Sequence, residues 1–155
     1  MKAKLIPATS LLWLSAVLAL LAGGELRAEA ADTKFQAYLL WGTDDTKPPE
    51  GKSYKPVTAD IKQKLKELPL KWANWFEVNR KDFAVSQNAA NEVTMSEKCQ
   101  LNVKKLAGSN VEVSLIGKGK EVVTRKQSLP TGEMLVLGGN APNSTAWLVV
   151  LKRIE

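Results

Sequence analysis

The chain has 155 residues, of which 45% are hydrophobic and 25% charged, and it carries a net charge of +6. That length suits one domain with a core of ordinary size. Histidine does not occur and cysteine occurs once, as Cys99; this excludes Ser-His-Asp and Cys-His nucleophile pairs, the common zinc sites and an internal disulfide.

The first stretch is basic (Met1-Lys2-Ala3-Lys4), then uncharged from Leu5 to Gly24, with its densest apolar part at Leu11 to Ala22. Ala28-Glu29-Ala30 follows as an A-x-A signature. This order predicts a secretory signal peptide over residues 1–30, cut between Ala30 and Ala31. The alternative is an uncleaved anchor, since Leu5 to Gly24 is long enough to reach across a bilayer. Pro7, the short apolar core and the A-x-A site favour cleavage. Residues 31–155 then form a single β-rich domain, exported to the periplasm or beyond the cell and without a further membrane span. The basic excess is mild and spread along the chain. It suits an anionic polymer or lipid, and an exported chain has little occasion to meet nucleic acid.

Thr33 to Trp41 alternates as a strand, with Phe35, Ala37, Leu39 and Trp41 on one face. Tyr38 and Leu40 on the other face predict burial on both sides. Gly42 to Pro56 is a long charged connector holding three prolines with Asp44, Asp45 and Glu50, and loops of that length are functional or mobile. A helix is expected next: Thr58 is a fair N-cap, Asp60 suits the positive helix start, and Ile61, Leu65 and Leu68 recur on one face. Pro69 ends it at Leu68. Strand character returns over Trp72 to Arg80 and, after a charged Arg80-Lys81-Asp82 break, Phe83 to Val85. Glu92 to Met95 and Lys98 to Leu106 are further strands, the second pointing Cys99, Leu101 and Val103 inward. The last third reads as one antiparallel meander. Val111, Val113 and Leu115 alternate, Val122-Val123 climbs back after the Gly117 to Lys120 turn, and Met134 to Leu137 and Trp147 to Leu151 are fully apolar. The expected fold is mainly β (α+β): an antiparallel sandwich or meander of about seven or eight strands, with one short amphipathic helix near the start.

Few stretches suggest chemistry. Asp44-Asp45 with Glu50 lacks the D-x-D-x-D-G spacing of a calcium loop and reads as a solvated loop. Gly51-Lys52-Ser53 resembles the end of a phosphate loop, but Thr46 stands where its first glycine is required. Gly117-Lys118-Gly119 is a hairpin turn and not a dinucleotide fingerprint, since Val122 occupies the third glycine position. No metal or cofactor motif emerges. After leader removal the tryptophans are Trp41, Trp72, Trp75 and Trp147. Core packing is expected for them, with Trp72, just after a helix-ending proline, as the exception. Lys104-Lys105, Lys118, Lys120, Arg125-Lys126 and Lys152-Arg153 form a basic face or simply solvated strand faces. Asn143-Ser144-Thr145 is a glycosylation acceptor pattern.

The order of these elements, from the strand ending near Trp41 through the Pro-rich loop to the meander, resembles small signal-peptide-bearing bacterial β domains. The run Leu129-Pro130-x-Gly132-Glu133-x-Leu135-Val136-Leu137-Gly138-Gly139 is part of that resemblance, which implies a fold and no activity. Gly132 to Gly139 is also similar to a strand of outer-membrane secretins; beyond it this chain has Asn140-Ala141-Pro142-Asn143 in place of their Pro- and Gly-bearing signature, so no functional residue carries over. The expectation is a non-catalytic exported domain that contacts an envelope protein or surface polymer, with Asp44, Asp45 and Trp72 as candidate contact residues. The alternatives are a carbohydrate-binding module that uses exposed Trp and Lys, and a histidine-free hydrolase built on Asp44, Asp45 or Glu77.

Overall fold

The computed structural model describes residues 31–139 and 146–155. The expected signal peptide and the Asn143 glycosylation pattern lie outside the described residues, as does Ala30 at the expected cut. The strands are β1 (Thr33–Thr43), β2 (Lys55–Pro56), β3 (Asn74–Val85), β4 (Ala90–Ser96), β5 (Cys99–Lys105), β6 (Asn110–Gly117), β7 (Lys120–Ser128), β8 (Met134–Gly139) and β9 (Ala146–Arg153). One helix, α1 (Ala59–Lys66), follows β2, so it is the third element and does not open the domain. Among the described residues no helix is long and apolar enough to cross a membrane.

Two antiparallel sheets result. One has the order β2-β3-β1-β9-β8 and the other β4-β5-β6-β7. The expected single closing meander is therefore split. β6 and β7 stay with β5, while β8 and β9 cross over to the other sheet, where β9 pairs with β1 and β8 with β9. The crossing runs through Leu129, buried at 1% exposure and packed in the core between the sheets. That core is filled by inward residues of both sheets, among them Phe35, Leu39, Val149 and Leu151 facing Met95, Leu101, Val103 and Val113. Side chains of period two on each inner face, meeting across one layer, make this a sandwich.

β1 is buried on both sides, as Tyr38 and Leu40 suggest. These two residues, with Leu148 and Val150, meet Ile61 and Leu65 of α1 in a second apolar cluster. The helix thus covers the outer face of the five-stranded sheet. Lys152 Nζ donates to Asp60 Oδ2 at 2.7 Å and ties the helix to β9. Thr58 precedes the helix, but its hydroxyl donates to the Asp60 carboxylate and caps no backbone N–H.

Four local expectations are corrected. β3 runs unbroken through Arg80, Lys81 and Asp82, because these residues stay in register with Tyr38, Ala37 and Gln36 of β1. Gly42 to Pro56 is not wholly a loop, since β1 reaches Thr43 and Lys55–Pro56 pairs with β3. Val122 is the extra residue of a bulge against Leu115 and Ile116 and is 49% exposed. Lys105 does not join a basic face: it shares the inward side of β5 with Leu101 and Val103 and is buried at 2% exposure. Its ammonium donates to the carbonyls of Leu106 and Gly108. Burial, with Arg153 nearby as a second cause, lowers the pKa of that amine below its ordinary 10.5.

Candidate functional site

At one end of the five-stranded sheet, Trp41 of β1 stands directly opposite Phe76 of β3 on one side and Trp147 of β9 on the other. Directly paired residues share a face, and two residues further along the same pairing Leu39 meets Val149 in the inter-sheet core. These rings therefore continue the inner face beyond Leu39. The Trp41 and Phe76 ring centroids lie 6.0 Å apart, and Tyr54, just before β2, tilts against Trp41 at 6.2 Å.

The opposite face of the same end is aromatic as well. Trp75 pairs with Gly42 and packs against the cluster beneath α1. Trp72 meets it edge to face at 6.0 Å. The two rings come together because Trp72 lies outside β3, in the segment leading into it. Alternation along a straight strand, which would send them to opposite faces, does not apply. Every described tryptophan, with Tyr54 and Phe76, thus gathers at this rim, while Phe35, Tyr38 and Phe83 lie further along the sheet.

The acidic loop is fastened to the same place. The register Thr43↔Asn74 brings Asp44 beside the segment after Trp72. Asp44 Oδ1 accepts from the Ala73 N–H at 3.2 Å, and the Asn74 side-chain amide donates to the Asp44 carbonyl at 3.3 Å. Asp45 takes the hydroxyl of the buried Thr43 through one carboxylate oxygen, and its N–H donates to that hydroxyl in turn. Asp44, Asp45 and Trp72, distant in sequence, are therefore neighbours at one rim. Asp44 and Asp45 are exposed and Trp72 is half-buried.

Trp147 is the member that sequence reasoning missed. Expected inside an apolar strand, it is 40% exposed. Its partner on β8 is Gly139, which offers no side chain to lean on. Glycine at the end of the preceding strand was the available signal, once the two strands are paired.

Glu77, the third carboxylate considered with Asp44 and Asp45, lies within a strand. It stands in β3 opposite Lys55, while Asp44 and Asp45 hang beyond the strand end. Two open grooves lie elsewhere: one of about 270 Å³ between α1 and the start of β8, with Asp60, Lys64, Glu67 and Glu133, and one of about 440 Å³ beside Phe35, Phe83 and Ile154. Cys99 is half-buried against the inter-sheet core, and desolvation raises its thiol pKa, the opposite of what an activated nucleophile needs.

No family model matches the chain, and no curated protein or solved structure matches it either.

Proposed function

We propose that the protein is a non-catalytic recognition domain, exported from the cell, whose aromatic rim docks a protein partner in the envelope or outside it. The observation that carries this reading is Trp147, a large ring left 40% exposed in cross-strand register with Trp41, at the sheet end beyond which Asp44 and Asp45 are also exposed. Tryptophan and tyrosine anchor protein interfaces because they bury large area at small entropy cost, with polar groups at the edge fixing orientation. Rigid strands hold Trp147 in line with the buried Trp41 and Phe76, so its exposed ring needs little ordering on binding.

The test is crosslinking in the producing cells, with Trp147→Ala and Asp44→Asn compared with the unmodified protein. Loss of a specific crosslinked protein in Trp147→Ala, at unchanged melting behaviour, supports the reading. An unchanged adduct in both variants removes the rim from the contact.

A carbohydrate-binding reading has one observation in its favour: Trp72 is half-buried and its neighbour Ala73 binds the Asp44 carboxylate. A half-buried indole near a carboxylate is a workable stacking site for a sugar. Retention on cell-wall polysaccharide that disappears in Trp72→Ala would move the proposal to that class.

A further inference from the structure

The sandwich has four sheet edges, and three are obstructed. The outer side of β3 is partly covered by β2 and carries Arg80, Lys81 and Asp82. At β4 the Met95 carbonyl already accepts from the Asn79 side chain. β7 presents Lys120, Glu121, Arg125 and Lys126. Charges and covered edges are the usual guards against strand addition.

β8 has none of these guards. Met134-Leu135-Val136-Leu137-Gly138-Gly139 contains no charge and no proline, and its pairing with β9 has no bulge. Just before the strand, the Arg153 N–H donates to the Glu133 carbonyl. Bonded and non-bonded pairs alternate along an antiparallel ladder, so Leu135 and Leu137 bond to β9. The N–H and C=O groups of Met134, Val136 and Gly138 point away from it. Those groups have no backbone partner among the described residues.

We infer that this edge is a self-association surface, where β8 of a second copy pairs antiparallel with β8 about a two-fold axis through Val136. The outward groups fall at three alternate positions symmetric about Val136. In that register Val136 faces Val136, Met134 faces Gly138 of the second copy, and Leu135 faces Leu137. Charge favours a second copy as occupant. An uncharged edge calls for an uncharged strand, and β8 is itself such a strand; Glu133 then faces Gly139, so no like charges oppose each other. Shape agrees. The Leu148 side chain lies over Gly138, 2.2 Å from where an added Cβ would stand, so Met134 of the second copy meets an apolar side chain there and no charge. The two five-stranded sheets then become one continuous sheet, by a pairing that makes main-chain bonds without rearranging either copy. This surface adjoins the aromatic rim at Gly139, the cross-strand partner of Trp147, but it rests on different observations and stands or falls without the rim's proposed role.

The test is sedimentation velocity on the protein as its producing cells make it, over a wide concentration range because one strand edge is a small interface. The comparisons are Val136→Pro and Val136→Lys. Proline removes an outward N–H that the fold does not use, and edge strands accept it, while it keeps an apolar ring where the half-buried Val136 packs against the cluster beneath α1. Lysine places two like charges on the axis. The expected result is a concentration-dependent dimer that both variants abolish, with near-UV circular dichroism unchanged. If the proline variant misfolds, the lysine variant decides. A monomer at every concentration overturns the inference, as does a dimer that persists in a folded variant; a foreign strand on this edge would show the first of these.

Discussion

The ring of Trp75 lies across Gly42, its cross-strand partner, so closely that a Cβ on Gly42 would stand 2.6 Å from two ring carbons. Trp75 in turn carries Trp72, and the next residue pair, Thr43 and Asn74, leads into the Asp44 contacts. A bare position in the middle of an otherwise bulky strand end is therefore what lets the rim close. Gly42→Ala should destabilise the fold by about 1–3 kcal/mol through overpacking against a rigid ring. Urea denaturation checks this, and Trp75→Leu in the same chain should recover part of the loss.

The Asp60–Lys152 pair should register in acid. Its hydrogen bonds to Lys152 and then Thr58 hold the Asp60 carboxyl at about 2, below its ordinary 3.8. A lowered folded pKa means the unfolded chain takes up the proton first. The stabilisation is present above about pH 4 and is lost as pH falls toward 2. The pair is open to solvent, so the loss should not exceed about 1 kcal/mol. Asp60→Asn should remove that part of the acid transition, read by thermal melts across this range.

Lys105 should act at the other end of the pH scale. Burial lowers its folded pKa, so below 10.5 there is a window where the unfolded chain is protonated and the folded chain is not. Stability should rise with pH through that window as the penalty for the buried charge disappears. Lys105→Met should lack this rise. At neutral pH it should lose about 1–2 kcal/mol, because the Leu106 and Gly108 carbonyls lose their donor.

The turn between β6 and β7 offers a stabilising change. Lys118 and Gly119 both have positive φ, 50° and 76°, the pattern of a two-residue hairpin turn that favours Asn-Gly. Lys118→Asn should raise stability by a few tenths of a kcal/mol to about 1 kcal/mol, visible as a higher Tm.

Much of this architecture could be read from alternation. Phe35, Ala37 and Leu39 against Tyr38 and Leu40 predicted a doubly buried strand, and Ile61 and Leu65 gave the helix its buried side. Sheet membership could not be read, because Val123 and Leu135 look alike as strand residues and nothing local says that the chain crosses at Leu129. Lys105 was legible in hindsight, at the same parity as Leu101 and Val103, but a lysine beside another lysine suggests a wet face. The rim was legible only in parts. Asp44, Asp45 and Trp72 stood out singly, while their meeting depends on the pairing of β1 with β3, and the exposure of Trp147 depends on a glycine opposite it.

The claim that the aromatic rim meets a partner is tested most directly by a photo-reactive amino acid placed at position 147 in the living cell, with position 122 as the control. Both sites are exposed, and Val122 lies on the other sheet, in β7, which does not pair with β1, β3 or β9. The account predicts a discrete adduct with a second protein from position 147 and none from position 122. No adduct from 147, or the same adducts from both positions, would contradict it.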